Sequence, residues 1–150
     1  MPWIISAAVL WLFIIVFLRS QVGKHWSAAI WAVVVGYFLN DTFITYGFYA
    51  FHESLYPFHN IPLGYLIGLG GIGIIIICFL PEEKLWQLPY LILFSLIFTA
   101  LEIFAVEQEY IVYLQWSTFY SFSYKLIAFI VIAWLSNLTV KRRKRYFDFR

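Results

Sequence analysis

Between Ser117 and Leu138 the chain reads Ser-Thr-Phe-Tyr-Ser-Phe-Ser-Tyr-Lys-Leu-Ile-Ala-Phe-Ile-Val-Ile-Ala-Trp-Leu-Ser-Asn-Leu. The run is long and apolar enough to cross a bilayer, yet it holds Lys125 in its interior. A lysine at that depth is costly unless it is paired, lines a wet cavity or snorkels to an interface. Any fold must therefore answer what stands opposite Lys125. The composition agrees with a membrane setting: 63% of the 150 residues are hydrophobic, 12% are charged, and the mean hydropathy is +0.83. Soluble domains average about 45–50% apolar and about 25% charged. Five spans of ~20 residues with short loops would use nearly all of the chain, which leaves no room for a soluble catalytic or nucleic-acid-binding domain.

The apolar runs are predicted at about 2–18, 26–50, 61–80, 85–106 and 114–138, followed by a basic tail, 139–150. They are uniformly apolar and long, so they read as helices; barrel strands would alternate and be about half the length. The expected fold class is an all-α bundle of five transmembrane helices in a single domain. The first run has no basic segment before it and no small-residue cleavage site after it, and reads as an uncleaved span. Every Lys and Arg except Lys125 falls after the first run (Arg19, Lys24), after the third (Lys84) or in the tail (Lys141 to Arg145, Arg150). Cytoplasmic loops carry the excess of Lys and Arg, so the N-terminus is expected outside and the C-terminus in the cytoplasm. Trp26 and Trp86 then open spans at the inner face, and Trp3 and Trp116 at the outer face, where indoles anchor.

Polar residues inside the runs form stripes. Ser95, Thr99 and Glu102 share one face of span four, and Tyr37, Asp41 and Thr45 one face of span two. Ser117, Ser121, Tyr124 and Lys125 fall within one arc of span five, and Asn40 stands beside Asp41. Such stripes face a bundle interior, because lipid would leave them unsatisfied. Asp41, Glu102, Lys125, Thr99, Ser121 and Asn40 are thus the candidate site. Counted from the predicted span ends, Asp41 lies ~13 Å deep, Lys125 ~12 Å and Glu102 ~6 Å, so Lys125 is expected within salt-bridge reach of Asp41 or Glu102, with Asp41 preferred by depth. The cluster reads either as polar glue between helices or as an outward-facing site for a proton, a cation or a small polar ligand.

Gly64, Gly68 and Gly71 stand at i, i+4 and i+7 of span three and are expected to bring helix backbones together, within one protomer or between copies. Gly68-x-Gly70 is not a nucleotide loop, since no basic residue follows to hold phosphate. Cys78 is the only cysteine and reads as an inert thiol in an apolar run. His52, Glu53 and His59 lack the helical spacing that sets two imidazoles on one metal; no metal, haem or other cofactor is expected. Lys141, Arg142, Arg143, Lys144 and Arg145 fit the cytoplasmic surface of the bilayer. The expected partners are the lipid bilayer and a second copy or another membrane protein, not nucleic acid.

Ile97-Phe98-Thr99-Ala100-Leu101-Glu102, followed by Tyr113, Trp116 and Ser121, resembles a family of small five-span membrane proteins from spore-forming Gram-positive bacteria. Its pattern is Thr-x-x-Glu closing span four, then an aromatic and a Trp opening span five. Gln115 stands where members usually have glycine. The resemblance covers the last half of the chain; it implies the fold and topology and carries no activity. Pro81-Glu82-Glu83 is similar to the Pro-x-Glu-Glu motif of lycopene cyclase domains, which would imply a carboxylic acid acting as general acid near the bilayer. The same residues suit a helix start, with proline in the first turn and acids at the positive dipole end. The expected function is a non-enzymatic accessory or assembly subunit with an outward-facing polar pocket. The alternatives are a small transporter or ion-pathway component using Asp41, Glu102 and Lys125, and a cyclase-like membrane enzyme.

Orientation is the first expectation open to test. Reporter fusions after Asn60 and Glu109 should read outside, and fusions after Lys84 and Arg145 cytoplasmic. A cytoplasmic signal from the Asn60 fusion would overturn the five-span arrangement.

Overall fold

The computed structural model describes residues 2–52, 57–58 and 60–147, with 57–58 and 140–147 as backbone. Five α-helices make up nearly all of it: α1 (Pro2–Phe17), α2 (Arg19–Thr45), α3 (Leu63–Cys78), α4 (Lys84–Glu107) and α5 (Thr118–Phe147). Three stretches, Arg19–Thr45, Lys84–Glu107 and Thr118–Thr139, are long and apolar enough to cross a membrane. Helices α1 and α3 are apolar too, at 16 residues each. Large side chains such as Ile5, Val9, Leu12 and Val16 on α1, and Leu93, Leu96 and Leu101 on α4, remain exposed.

Both ends of α2 differ from the sequence expectation, and α5 starts at Thr118 instead of 114 and runs to Phe147, past the predicted 138. The polar segment after the first apolar run is helical, and α2 begins at Arg19, one residue past α1. Arg, Gln and Lys are good helix formers, so polarity there marks the end of an apolar run without ending a helix. The backbone turns at His25 (φ −116°, ψ 16°), where this polar segment meets the apolar part of α2. At its other end α2 stops at Thr45, short of the predicted Ala50. Gly47 adopts φ +72°, a conformation that costs glycine nothing, and the chain leaves as strand β1 (Tyr49–Phe51).

Strand β1 pairs antiparallel with β4 (Ile111–Tyr113), in the register Tyr49↔Tyr113, Ala50↔Val112, Phe51↔Ile111. A second ladder joins β2 (Pro57–Phe58) to β3 (Ile61–Pro62), with Asn60 at φ 66° in the turn. Both ladders lie in the loops after the second and fourth apolar runs, at one end of the bundle. None of these strands was expected: aromatic and β-branched residues suit strand and buried helix alike.

Helix α3 is the spine, packed between α1 and α2 and also touching α5. Its glycines face two ways. Gly64, Gly68 and Gly71 lie toward α1, whereas Gly70 and Gly73 lie toward α2. On α2 the buried line is Ala28, Ala32, Gly36 and Asn40, a small-residue stripe of the kind that lets helices approach closely. A Cβ on Gly73 would stand 2.4 Å from the Ala28 carbonyl oxygen, and one on Gly64 would stand 2.7 Å from the Ile4 nitrogen. At Gly68 the nearest atom would be Ala7 Cβ at 4.0 Å, an ordinary contact. The second half of the core lies where Ala32, Ile76, Leu91, Phe129 and Ile132 meet, with Phe94 and Phe98 against them.

Gly73→Leu should therefore push α2 from α3 and lower the thermal midpoint and folded yield in detergent, while Gly68→Ala should leave both near the parent values. Equal tolerance at the two positions would contradict this packing.

Candidate functional site

Lys125 lies one helical turn beyond Ser121 on the buried face of α5, and Glu102 projects from the last turns of α4. Lys125 Nζ forms a salt bridge with Oε2 of Glu102. It also donates to Ser121 Oγ at 2.9 Å and stands 5.1 Å from the Tyr124 ring centroid. The other carboxylate oxygen, Oε1, accepts from the hydroxyls of Ser121 and Tyr113. The two side chains are 9% and 13% exposed. The low exposure means that the charges have exchanged water for each other and for three neutral partners. Burying two charges is favourable only when geometry is good and the remaining donors and acceptors are also met.

A neutral cluster adjoins the charged one. Asn40, 1% exposed on α2, donates to the Gly36 carbonyl at 2.6 Å. Its Oδ1 accepts from Tyr49 of β1, and from Tyr65 of α3 at 3.4 Å. The phenol of Tyr65 neighbours that of Tyr124, so the two clusters are contiguous. Tyr49 and Tyr113 lie outside the helices. Burial pushes both hydroxyls above the usual phenol range, and the Glu102 carboxylate pushes Tyr113 further. Both are therefore protonated donors at neutral pH. Aromatic rings roof the region: Trp116 packs on Phe43, Phe48, Tyr49 and Tyr124, and Trp3 on Phe51 and Tyr65.

The structure thus joins Glu102, Lys125 and Ser121 directly and sets Asn40 beside them. The preference for Asp41 is corrected. Asp41 is half-buried, and the carboxylate on Lys125 is that of Glu102. The expected depth counts from Ala50, but α2 ends at Thr45, so Asp41 lies ~6 Å from the helix end, no deeper than Glu102. The inward direction of α2 belongs to Asn40, a hundred degrees or so around the helix from Asp41. Thr99 is buried, but its hydroxyl bonds the Ser95 carbonyl of its own helix at 2.8 Å. Gly64, Gly68 and Gly71 serve α1–α3 packing. Glu53, His59 and the side chains of Lys141, Arg142, Arg143, Lys144 and Arg145 lie outside the described residues. Sequence reasoning missed Tyr49 and Tyr65. With 11 tyrosines in the chain the residue type alone selects nothing; the β1–β4 register turns Tyr49 inward, and the packing of α3 on α2 brings Tyr65 to Asn40.

Two surface concavities lie elsewhere. One of about 710 Å³ is lined by Pro81, Glu82, Glu83, Trp86, Pro89 and Tyr90, among others. The second, of about 380 Å³, runs between α1 and α3 beside Trp11 and Gly64. Glu82 and Glu83 are both exposed, unlike the desolvated acid a carotenoid-protonating site would use. Among the described residues no three of His, Cys, Asp and Glu converge as metal ligands. No protein-family model matches the chain, and no curated protein or solved structure matches it either.

Lys125→Met and Glu102→Gln should each destabilise by about 3–5 kcal/mol, because each leaves a buried group without its partner, and the double variant should recover much of the loss. Asp41→Asn should be close to neutral. Denaturant unfolding in detergent gives all four values, and an Asp41→Asn loss as large as that of Glu102→Gln would contradict the pairing.

Proposed function

We propose that the chain is a five-span protein of the bacterial cell membrane, N-terminus outside and C-terminus inside, acting as a non-enzymatic accessory or assembly subunit. One observation carries this reading: the charged cluster is closed on itself. Glu102 receives three donors from α5 and β4, and Lys125 is held by Glu102, Ser121 and the Tyr124 face. A catalytic or transport site keeps a position open for the reacting or moving group. Here the positions beside the charges are filled by the protein's own side chains, which suits a clamp binding α4, α5 and β4.

Helices α1 and α3 are ~24 Å long at 1.5 Å per residue, against a hydrocarbon core of ~30 Å. Shorter apolar helices are accommodated by local thinning and by flanking residues, and α3 is largely enclosed by its neighbours. The distribution of Lys and Arg supports the orientation. Kinship with the small five-span proteins of spore-forming bacteria is part of the proposal, resting on Thr99, Glu102, Tyr113 and Trp116. The partners would be lipid and a second copy or another membrane protein. An ion-pathway component is the second reading, favoured by the contiguity of a carboxylate, a lysine and several phenols.

Purified protein in liposomes loaded with a pH-sensitive dye separates the two. The accessory reading expects proton leak no faster than in empty liposomes under a potassium-diffusion potential. A flux that Glu102→Gln abolishes would replace it with the pathway reading.

A further inference from the structure

Tyr49 and Tyr113 are direct partners across the β1–β4 ladder, so their side chains leave the same face of the sheet. Each ends on a buried polar group of a different helix: Tyr49 donates to Asn40 of α2, and Tyr113 to Glu102 of α4. These are the same two helices from which the strands hang. Strand β1 follows the C-terminal turn of α2 at Tyr46, and β4 follows that of α4 at Gln108. Between helix and strand stand Gly47 at φ +72° and Glu109 at φ 61°, and a Cβ on Gly47 would meet nothing within 4 Å. Three more backbone bonds extend the ladder: His52 N to Tyr110 O at 3.1 Å, and Leu114 N and Gln115 N to Phe48 O at 3.0 Å each. The pair of strands is thus internally bonded, attached through turns, and tied to the polar core by two phenols on one rung.

We infer that the β1–β4 ribbon is a latched flap over the Glu102–Lys125 cluster. Tyr49 and Tyr113 are its two bolts, and its opening exposes the cluster to the side of the membrane on which the ribbon lies. The closed flap carries an opposing term. The indole nitrogens of Trp3 and Trp116 are buried without a hydrogen-bond acceptor among the described residues, a cost that exposure to water removes. Ring packing of Trp116 on Tyr49 and Phe48 and the two phenol bonds hold the flap shut against it. A ribbon of two short strands is marginal by itself, so removing the bolts should shift the balance while leaving the helices intact. The inference rests on the proposed outward orientation only for which side the flap opens to.

The test uses the full-length protein with Cys78→Ala and a reporter, Thr99→Cys, one turn below Glu102 and outside both phenol bonds. A membrane-impermeant thiol reagent is applied to right-side-out and inverted vesicles. Tyr49→Phe with Tyr113→Phe keeps both rings and removes both bolts, and should raise the labelling rate roughly ten-fold or more, the factor that loss of net hydrogen bonds supplies. Tyr90→Phe, which removes a phenol bond to the Ile76 carbonyl away from the ribbon, should leave the rate unchanged. An unchanged rate in the double variant, or an equal rise with Tyr90→Phe, overturns the latch. A rise confined to inverted vesicles leaves the latch standing and overturns the orientation. If the variants do not fold, amide exchange on the parent decides. The His52 and Leu114 amides should exchange far faster than those of Ile74 and Ile76 in α3, and equal protection overturns the proposal.

Discussion

The cost of a lone charge inside an apolar bundle organises the sheet-bearing end of this protein. Lys125 sits where no water reaches freely, and three chain segments are arranged around its neutralisation. Helix α4 supplies the carboxylate, α5 supplies the hydroxyl that touches both charges, and β4 supplies a phenol to the remaining oxygen. Replacing such a pair with apolar residues of similar shape is often neutral or stabilising, so its presence is weak evidence for stability alone. What the pair does supply is direction. A helix carrying one charge has a single rotation and depth at which that charge is met, and α4 and α5 are held there.

The other constraint is distance between backbones. Helix α3 has only 16 residues, so it must gain from close approach what it lacks in length. Gly73 meets the Ala28 carbonyl and Gly64 meets the backbone of Trp3 and Ile4, which places α2 and α1 against opposite sides of α3. The sheet-bearing end depends on this. Tyr65, one residue past Gly64, reaches Asn40 only because α3 and α2 are in contact there.

How far the sequence could be read depended on which physical signal a residue carries. Long apolar runs have one low-energy solution in an apolar medium, and all five helices were legible from them. Glu102, Ser121 and Lys125 were legible as inward-facing because polar groups at helical spacing cannot all face lipid. The choice between Asp41 and Glu102 was not legible. It turned on the rotation of α2, which points Asn40 inward and leaves Asp41 half-buried to one side. Nothing local to Tyr49-Ala50-Phe51 separates strand from the continuation of an apolar helix, since aromatic residues satisfy both. Tyr49 stayed hidden for the same reason, and Tyr65 because its role exists only once α3 is packed against α2.

That register explains why the charged and neutral clusters form one site. A single rung, Tyr49↔Tyr113, places two phenols side by side, while their acceptors, Asn40 and Glu102, come from helices that need not touch at that level. Shifting one strand by one residue would turn that strand's phenol to the opposite face and leave its acceptor, Asn40 for Tyr49 or Glu102 for Tyr113, without this donor. Asn40 would retain its donation to Gly36, but Glu102 would keep only Ser121 and Lys125. The ladder register, the end of α2 and the rotation of α4 are therefore fixed together by one set of hydrogen bonds, so the three segments cannot be adjusted independently.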